Sequence, residues 1–539
     1  MSPKSESSER EGKPSAALSG RDLQPQVSPW LVAMTVMLAT FMEVLDTSVA
    51  NVALPHIAGG LAVDVQKSTW VLTSYLVANA IVLPLSGWLA SLFGRKNVFM
   101  GCVALFSLSS LLCGLAPSLN ALILFRIFQG LGGGTLQPIS QAILLESFPP
   151  EKRGTAMGIF GMGVVVAPIV GPTLGGWLSD NLSWRWIFFI NIPVGLLSLF
   201  LTSLLVSDPP YLIRKKLGNI KIDYIGLALI SLGLGCLQVF LDKGQTDDWF
   251  ASRFITAMGT IAFVSLAGLV VWELFHPSPI VNLRLMKERN FAVSVSAMFI
   301  LGFVLYGSIV LLPVFLQQLL GYTATLAGLV LSPGGILTLM SMPIVGALVG
   351  KVDVRALIAT GLLIVAASMF YMASFNLQIA FSTAVTARLI QGAGLALLFV
   401  PINAAAFYYM AKENVGQGTG LMNLVRNVGG SSGIAFVTTL LARRMQVHQS
   451  TLIHTLTPLN PAYQQTVSGI KAALVQRGVS PTLAEQQALG MIGNSLRRQA
   501  GSIAYVDVFW ILGAIALAAI VPMMFLRKST GRPAAAADI

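Results

Sequence analysis

The sequence predicts an all-α polytopic membrane protein: two six-helix halves with two further helices between them, fourteen spans in all. Three observations carry this. Apolar residues make up 55% and charged residues only 10% of the 539 positions, where soluble domains carry about 25% charged residues. Long apolar runs recur along the chain, each near the ~20 residues that a helix needs to cross a bilayer. Short motifs of the front part also return in the same order in the back part.

Taken in order, residues 1–28 are rich in Ser, Pro, Gly, Lys and Glu and read as a disordered tail. They lack a basic n-region, a short apolar core and a small-residue cleavage site, so a cleaved signal peptide is not expected. Apolar runs follow at 30–55, 69–92, 97–116, 119–147, 154–178 and 184–206, then at 222–241 and 253–275. The last group lies at 291–319, 323–350, 354–374, 377–411, 417–442 and 503–526. The implied domains are an N-terminal half at 29–208, a linking pair at 209–280, a C-terminal half at 281–526 and a tail at 527–539. The segment 443–502 is a long outer loop, expected to hold one or two short helices because Asn460-Pro461 and Ser480-Pro481 pair a capping residue with proline. It reads either as a surface elaboration or as a docking surface.

The repeat supports this division. Pro84-x-x-Gly87 returns as Pro343-x-x-Gly346, an offset of 259. Arg126-x-x-Gln129-Gly130-x-Gly132 returns as Arg388-x-x-Gln391-Gly392-x-Gly394, an offset of 262, and Gly154-Thr155 as Gly418-Thr419, an offset of 264. Repeated halves are the usual plan of a transporter that exposes a midplane site to alternate sides.

The net charge of +12 is topological. Arg95/Lys96, Lys152/Arg153, Arg214/Lys215/Lys216/Lys221, Arg284/Lys287/Arg289, Lys351/Arg355 and Lys412 fall in alternate short loops. The other short loops carry only Lys67, Arg185, Lys243 and Arg253. The positive-inside rule therefore puts both termini in the cytoplasm, and no nucleic-acid role is implied. Cys102, Cys113 and Cys236 sit in spans without a CxxC, and the four histidines are scattered, so neither a disulfide framework nor a metal site is expected. No GxxxxGK[ST] provides for ATP, and no catalytic constellation clusters at either interface. The reading is a transporter rather than an enzyme.

Ionisable residues inside spans are costly and mark function by default. Glu43 and Asp46 stand three apart in the first span, on nearly one helix face. Such a pair can take up a proton from the more acidic side and release it inside. Asp46 could instead be a structural residue bonded to a neighbouring helix, and Glu43 could be substrate-facing, proton-linked or lumen-lining. Arg126 in the fourth span needs a partner, for which Asp46 is the natural carboxylate, unless it snorkels to the outer interface. Arg388 and Arg426 pose the same question in the second half without an evident acid. Asn51, Gln129 and Gln137, with Glu43 and Arg426, are polar enough to line a substrate path. GWLASLFGRK (87–96) closes the second span: Gly87 allows close helix contact, Gly94 a tight turn, and Arg95 and Lys96 can bridge to acidic groups or helix ends. The stretch 154–178 carries seven glycines with Pro168 and Pro172. In lipid, small residues let backbones approach, so it reads as a kinked, close-packed crossing that slides or rocks.

Together LDTSVANVALP (45–55), GWLASLFGRK, RIFQGLGGGTLQP (126–138) and GMGVVVAPIVGPTLGG (161–176) resemble the major facilitator superfamily, specifically its fourteen-span drug:proton antiporters of the EmrB/QacA type. HPSPIVNLRLMKERNF (276–291), LGYTATLAGL (320–329) and the long outer segment look most like EmrB-type export permeases. The resemblance implies proton coupling through Asp46 and Arg126. It also implies an antiporter-motif hinge at Gly161, Gly163, Pro168, Gly171, Pro172, Gly175 and Gly176, and no cofactor beyond the proton motive force. It further implies a periplasmic EmrA-like adaptor and a TolC-like outer-membrane channel. The expected function is export of hydrophobic or amphipathic compounds from a bacterial inner membrane by proton antiport, against the alternative of a dedicated exporter of one metabolite, siderophore or lipid. GALVGKVDVR, in the second half, is a weaker copy of the gate motif, and Glu43 lies outside the family signature.

Overall fold

The computed structural model describes residues 28–149, 152–208, 223–277, 279–454, 456–457 and 459–527. The two tails and the basic stretch at 209–222 with Arg214, Lys215, Lys216 and Lys221 lie outside the described residues. None of the described residues is in a strand.

The first half contains α1 (Pro29–Gly60), α2 (Trp70–Phe93), α3 (Arg95–Gly114), α4 (Leu119–Ser147), α5 (Arg153–Asn181) and α6 (Trp186–Leu205). The linking pair is α7 (Tyr224–Lys243) and α8 (Arg253–Phe275). The second half contains α9 (Arg289–Gln318), α10 (Ala324–Leu348), α11 (Val354–Met372), α12 (Phe381–Phe407) and α13 (Val415–Ile453). A separate α14 (Pro461–Gln476) precedes the final span within α15 (Pro481–Ala518). Among the described residues, thirteen helices are long and apolar enough to cross a bilayer, against the fourteen expected. The difference is α13. It is 39 residues long and packs in the bundle against α9 and α15, but Gln417, Asn423, Arg426 and its glycines and serines dilute its apolar character.

The spans are less simple than a run of apolar residues suggests. Pro84 sits in a 3-10 turn at Leu83–Leu85 that interrupts α2, as expected where proline removes a backbone donor. A break at Gly134 and Thr135 divides α4. The proline-bearing stretch, α5, is helical without interruption from Arg153 to Asn181. The Pro172 side chain lies outside the described residues. The segment 443–502 is largely helix rather than loop. With no glycine or proline between 434 and 453, α13 continues past the bundle, and α15 starts 22 residues before the span expected at 503. Asn460 caps α14, its side chain accepting from the Ala462 N–H at 3.0 Å.

Packing repeats the sequence symmetry. In the second span of each half, a glycine meets the start of the other half's fifth span. A Cβ on Gly87 would stand 2.8 Å from the Gln417 nitrogen of α13, and one on Gly346 2.7 Å from the Gly154 carbonyl oxygen of α5. Thus α5 and α13 each touch both halves. All these contacts lie at the end of the bundle bearing Arg95, Lys96, Arg153 and Lys351, termed here the basic-loop end. The linking helix α7 packs on α2 and α13, while α8 rests mainly on α7 and is exposed along much of its length.

Candidate functional site

Asp46 lies at the centre of a buried polar cluster within the first half. The Arg126 guanidinium donates from Nη1 to Asp46 Oδ2 at 2.5 Å and to Gln129 Oε1 at 2.8 Å, and from Nε to the Val71 carbonyl at 3.1 Å. Arg126 is fully buried, with the Tyr75 ring 4.2 Å from its guanidinium carbon. It does not snorkel to an interface. Asp46 Oδ1 accepts from Gln129 Nε2 at 2.9 Å and from Asn191 Nδ2 at 2.8 Å, and both amides also donate to Ser110 Oγ. Donors from α4 and α6 therefore converge on one carboxylate of α1. Protonating Asp46 would discharge the carboxylate that balances the buried Arg126 guanidinium, and so weaken the tie between α1 and α4. Such a pair is also costly to leave half-made: removing one partner of a buried ion pair costs about 3–5 kcal/mol.

Glu43, one turn earlier, is equally buried but belongs to a second cluster. Its Oε1 accepts from Tyr75 Oη and Asn79 Nδ2, both at 3.2 Å, and its Oε2 from Gln137 Nε2 at 2.6 Å. The expected carboxylate pair is thus split. Glu43 and Asp46 do not share donors; they communicate through Tyr75, whose hydroxyl serves Glu43 and whose ring covers Arg126. Gln137 Oε1 in turn accepts from Arg426 Nη2 of α13. Glu43, Gln137 and Arg426 therefore form a chain across the two halves, and Arg426 has the companion that the sequence did not reveal. A second crossing lies nearer the basic-loop end, where Gln141 donates to Asn403 Oδ1 at 2.5 Å and accepts from Asn423 Nδ2 at 2.7 Å.

Residues 36–434 match the Major Facilitator Superfamily. The chain belongs to that superfamily. It is similar to the fatty acid resistance protein FarB of Neisseria gonorrhoeae, 39% identical over 92% of this chain and 96% of that protein. It is similar as well to the multidrug export protein EmrB of Escherichia coli K12, 37% identical over 94% and 98%. Among solved structures, the superfamily's proton:xylose symporter XylE aligns over 94% of this chain and 97% of its own at a TM-score of 0.59 and 15% identity, a likeness of fold. Superfamily and relatives point to transport rather than catalysis.

The other expected site residues divide. Gln129 lies in the Asp46 cluster, fully buried. Asn51 is exposed on α1 and apart from both clusters. At the basic-loop end Gly94 takes φ +83°, a conformation that favours glycine. Arg95 pairs with Glu146 at the end of α4, while Lys96 donates from its backbone to Asp208 at 2.9 Å and from Nζ to the Ser203 carbonyl at 2.7 Å. Along α5, Gly154 and Gly161 face α10, whereas Gly163, Gly171 and Gly175 face α1 at Met37, Ser48 and Val49. The Pro168 carbonyl accepts from Ser48 Oγ at 3.4 Å. Gly176 departs from the expected hinge set, since a Cβ there would meet nothing within 4 Å. Sequence reasoning missed Asn191, Ser110, Tyr75 and Asn79. Their signal was available: uncharged polar side chains in apolar spans need partners.

Proposed function

We propose that this chain is a multidrug efflux permease of a bacterial inner membrane, exporting hydrophobic and amphipathic compounds in exchange for protons. The observation that carries the reading is the Asp46–Arg126 pair, buried and held by Gln129 and Asn191. The names of the relatives, multidrug export and fatty acid resistance, favour a range of apolar cargoes over a single metabolite. Proton entry from the outside discharges Asp46 and weakens the tie between α1 and α4. Glu43 links that event to the crossing at Gln137 and Arg426, where cargo held between the halves competes for the same groups. The stretch Gly161–Gly175 of α5 keeps the crossing dry and lets α1 and α10 move against it. No cofactor is needed, because one charge moved through 100 mV supplies about 2.3 kcal/mol.

We assign 29–208 and 281–526 to the two halves, 209–280 to the linking pair and both termini to the cytoplasm, on the loop charges. The helical extension then stands in the periplasm. Val447, Ile453, Val475, Leu483, Leu489 and Met491 are exposed on it, which supports docking of an EmrA-like adaptor that leads to a TolC-like channel. The test is a proteoliposome carrying an imposed pH gradient. Cargo must move against the proton flow and stop when an ionophore collapses the gradient; movement indifferent to the gradient removes proton exchange.

A further inference from the structure

The two halves carry the same polar cluster with different charge. Arg388 donates to Gln391 Oε1 as Arg126 does to Gln129, three residues on. Gln391 Nε2 donates to Ser308 Oγ at 2.7 Å, as Gln129 Nε2 does to Asp46 Oδ1 at 2.9 Å. Positions 46 and 308 are separated by the same offset of 262 as the two arginines, so Ser308 stands where the first half has its carboxylate. The stacking ring is missing too. Gly392 packs on the Gly334 carbonyl as Gly130 packs on that of Tyr75, which puts Gly334 in the place of Tyr75. Arg388 is 5% exposed, its Nε has no hydrogen-bond partner, and no ion pair involving it occurs among the described residues.

A guanidinium needs a counter-charge in such surroundings, because unpaired charge in an apolar interior is expensive. The first half supplies Asp46. The second half retains the arginine and the glutamine as donors, beside a hydroxyl whose proton goes to the Leu305 carbonyl at 2.9 Å and would have to turn toward a ligand, around the position where the first half has its acid. We propose that Arg388, with Ser308 and Gln391, binds a small monovalent anion, a halide or a short carboxylate, in the role that Asp46 plays for Arg126. With Arg388 buried within the second half, the anion is a resident structural ion rather than cargo.

The full-length protein, purified in detergent, is unfolded thermally in sodium gluconate and, at equal ionic strength, in increasing sodium chloride or sodium formate. The expected result is a saturable rise of about 2 °C or more with chloride, formate or both, as for any ligand that binds only the folded state. A rise with chloride alone assigns a halide, and one with formate alone a carboxylate. Ser308→Asp should abolish the rise and be as stable in gluconate as the wild type is with bound anion. If Ser308→Asp yields no folded protein, Arg388→Gln must lose the rise. Equal midpoints in all three salts, or a variant that keeps the full rise, would overturn the proposal.

Discussion

The contact between Gly154 and Gly346 offers a way to bias the transporter between its two orientations with one methyl group. In the Gly154→Ala variant the new Cβ would stand 2.6 Å from the Gly346 carbonyl oxygen, where ordinary contact begins at 3.4 Å, so the helices must part by the 0.8 Å difference. Backbone atoms on both sides prevent a cheap rotamer escape. Overpacking of this kind costs about 1–3 kcal/mol. The cost applies only while the basic-loop ends of α5 and α10 touch, so it disfavours that orientation selectively. A differential of this size shifts a two-state population by roughly 5–150-fold. The readout is alkylation of a single cysteine at Ser86, in a background with Cys102, Cys113 and Cys236 replaced. Ser86 is 1% exposed and faces Gly420 of α13 at the same closed end. A membrane-impermeant maleimide supplied from the basic-loop side should react about tenfold faster in the Gly154→Ala protein. Unchanged alkylation in a well-folded variant would refute the claim that this glycine contact is a moving joint.

Arg126→Leu leaves the Asp46 carboxylate buried without its cation, and should cost about 3–5 kcal/mol of stability; adding Asp46→Leu should recover much of that loss in thermal unfolding. Glu43→Gln keeps an acceptor for Tyr75 and Asn79 but sets one amide donor against Gln137 Nε2. It should weaken the crossing to Arg426, visible as an altered pH profile of transport with little loss of folded protein. Gly94→Ala forces a side chain into the φ +83° turn and should lower stability by about 1–3 kcal/mol. Gly175→Leu drives a side chain into Val49, whose Cα lies 3.0 Å from the new Cβ, and should abolish export while the protein still inserts.

Much of this molecule was legible because charge in an apolar span must be explained. Asp46 and Arg126 had to find each other, and the two six-helix halves followed from apolar runs and a motif repeat. What escaped was set by geometry that periodicity does not carry. The i, i+3 spacing put Glu43 and Asp46 on one face, but Tyr75, Asn79 and Gln137 take the first carboxylate and Arg126, Gln129 and Asn191 the second, which divides the face into two clusters. The place of Gln129 beside Asp46 was hidden because nothing in its own sequence neighbourhood shows the helix it meets. Arg426 gained its partner from Gln137, 289 residues away, a contact created by the docking of the halves. The outer segment was misread for a different reason. Capping residues at Asn460 and Ser480 mark where helices begin, but a helix leaving the bilayer continues until something breaks it, and 434–453 contains no breaker.

The central claim is that the carboxylate of Asp46 couples cargo to protons. Proteoliposomes containing wild type or Asp46→Asn, which keeps the side chain's size, separate coupling from movement: one assay follows accumulation driven by a pH gradient, the other exchange of labelled for unlabelled cargo without one. The account predicts that Asp46→Asn exchanges cargo yet fails to accumulate it. Accumulation undiminished in that variant would contradict the account.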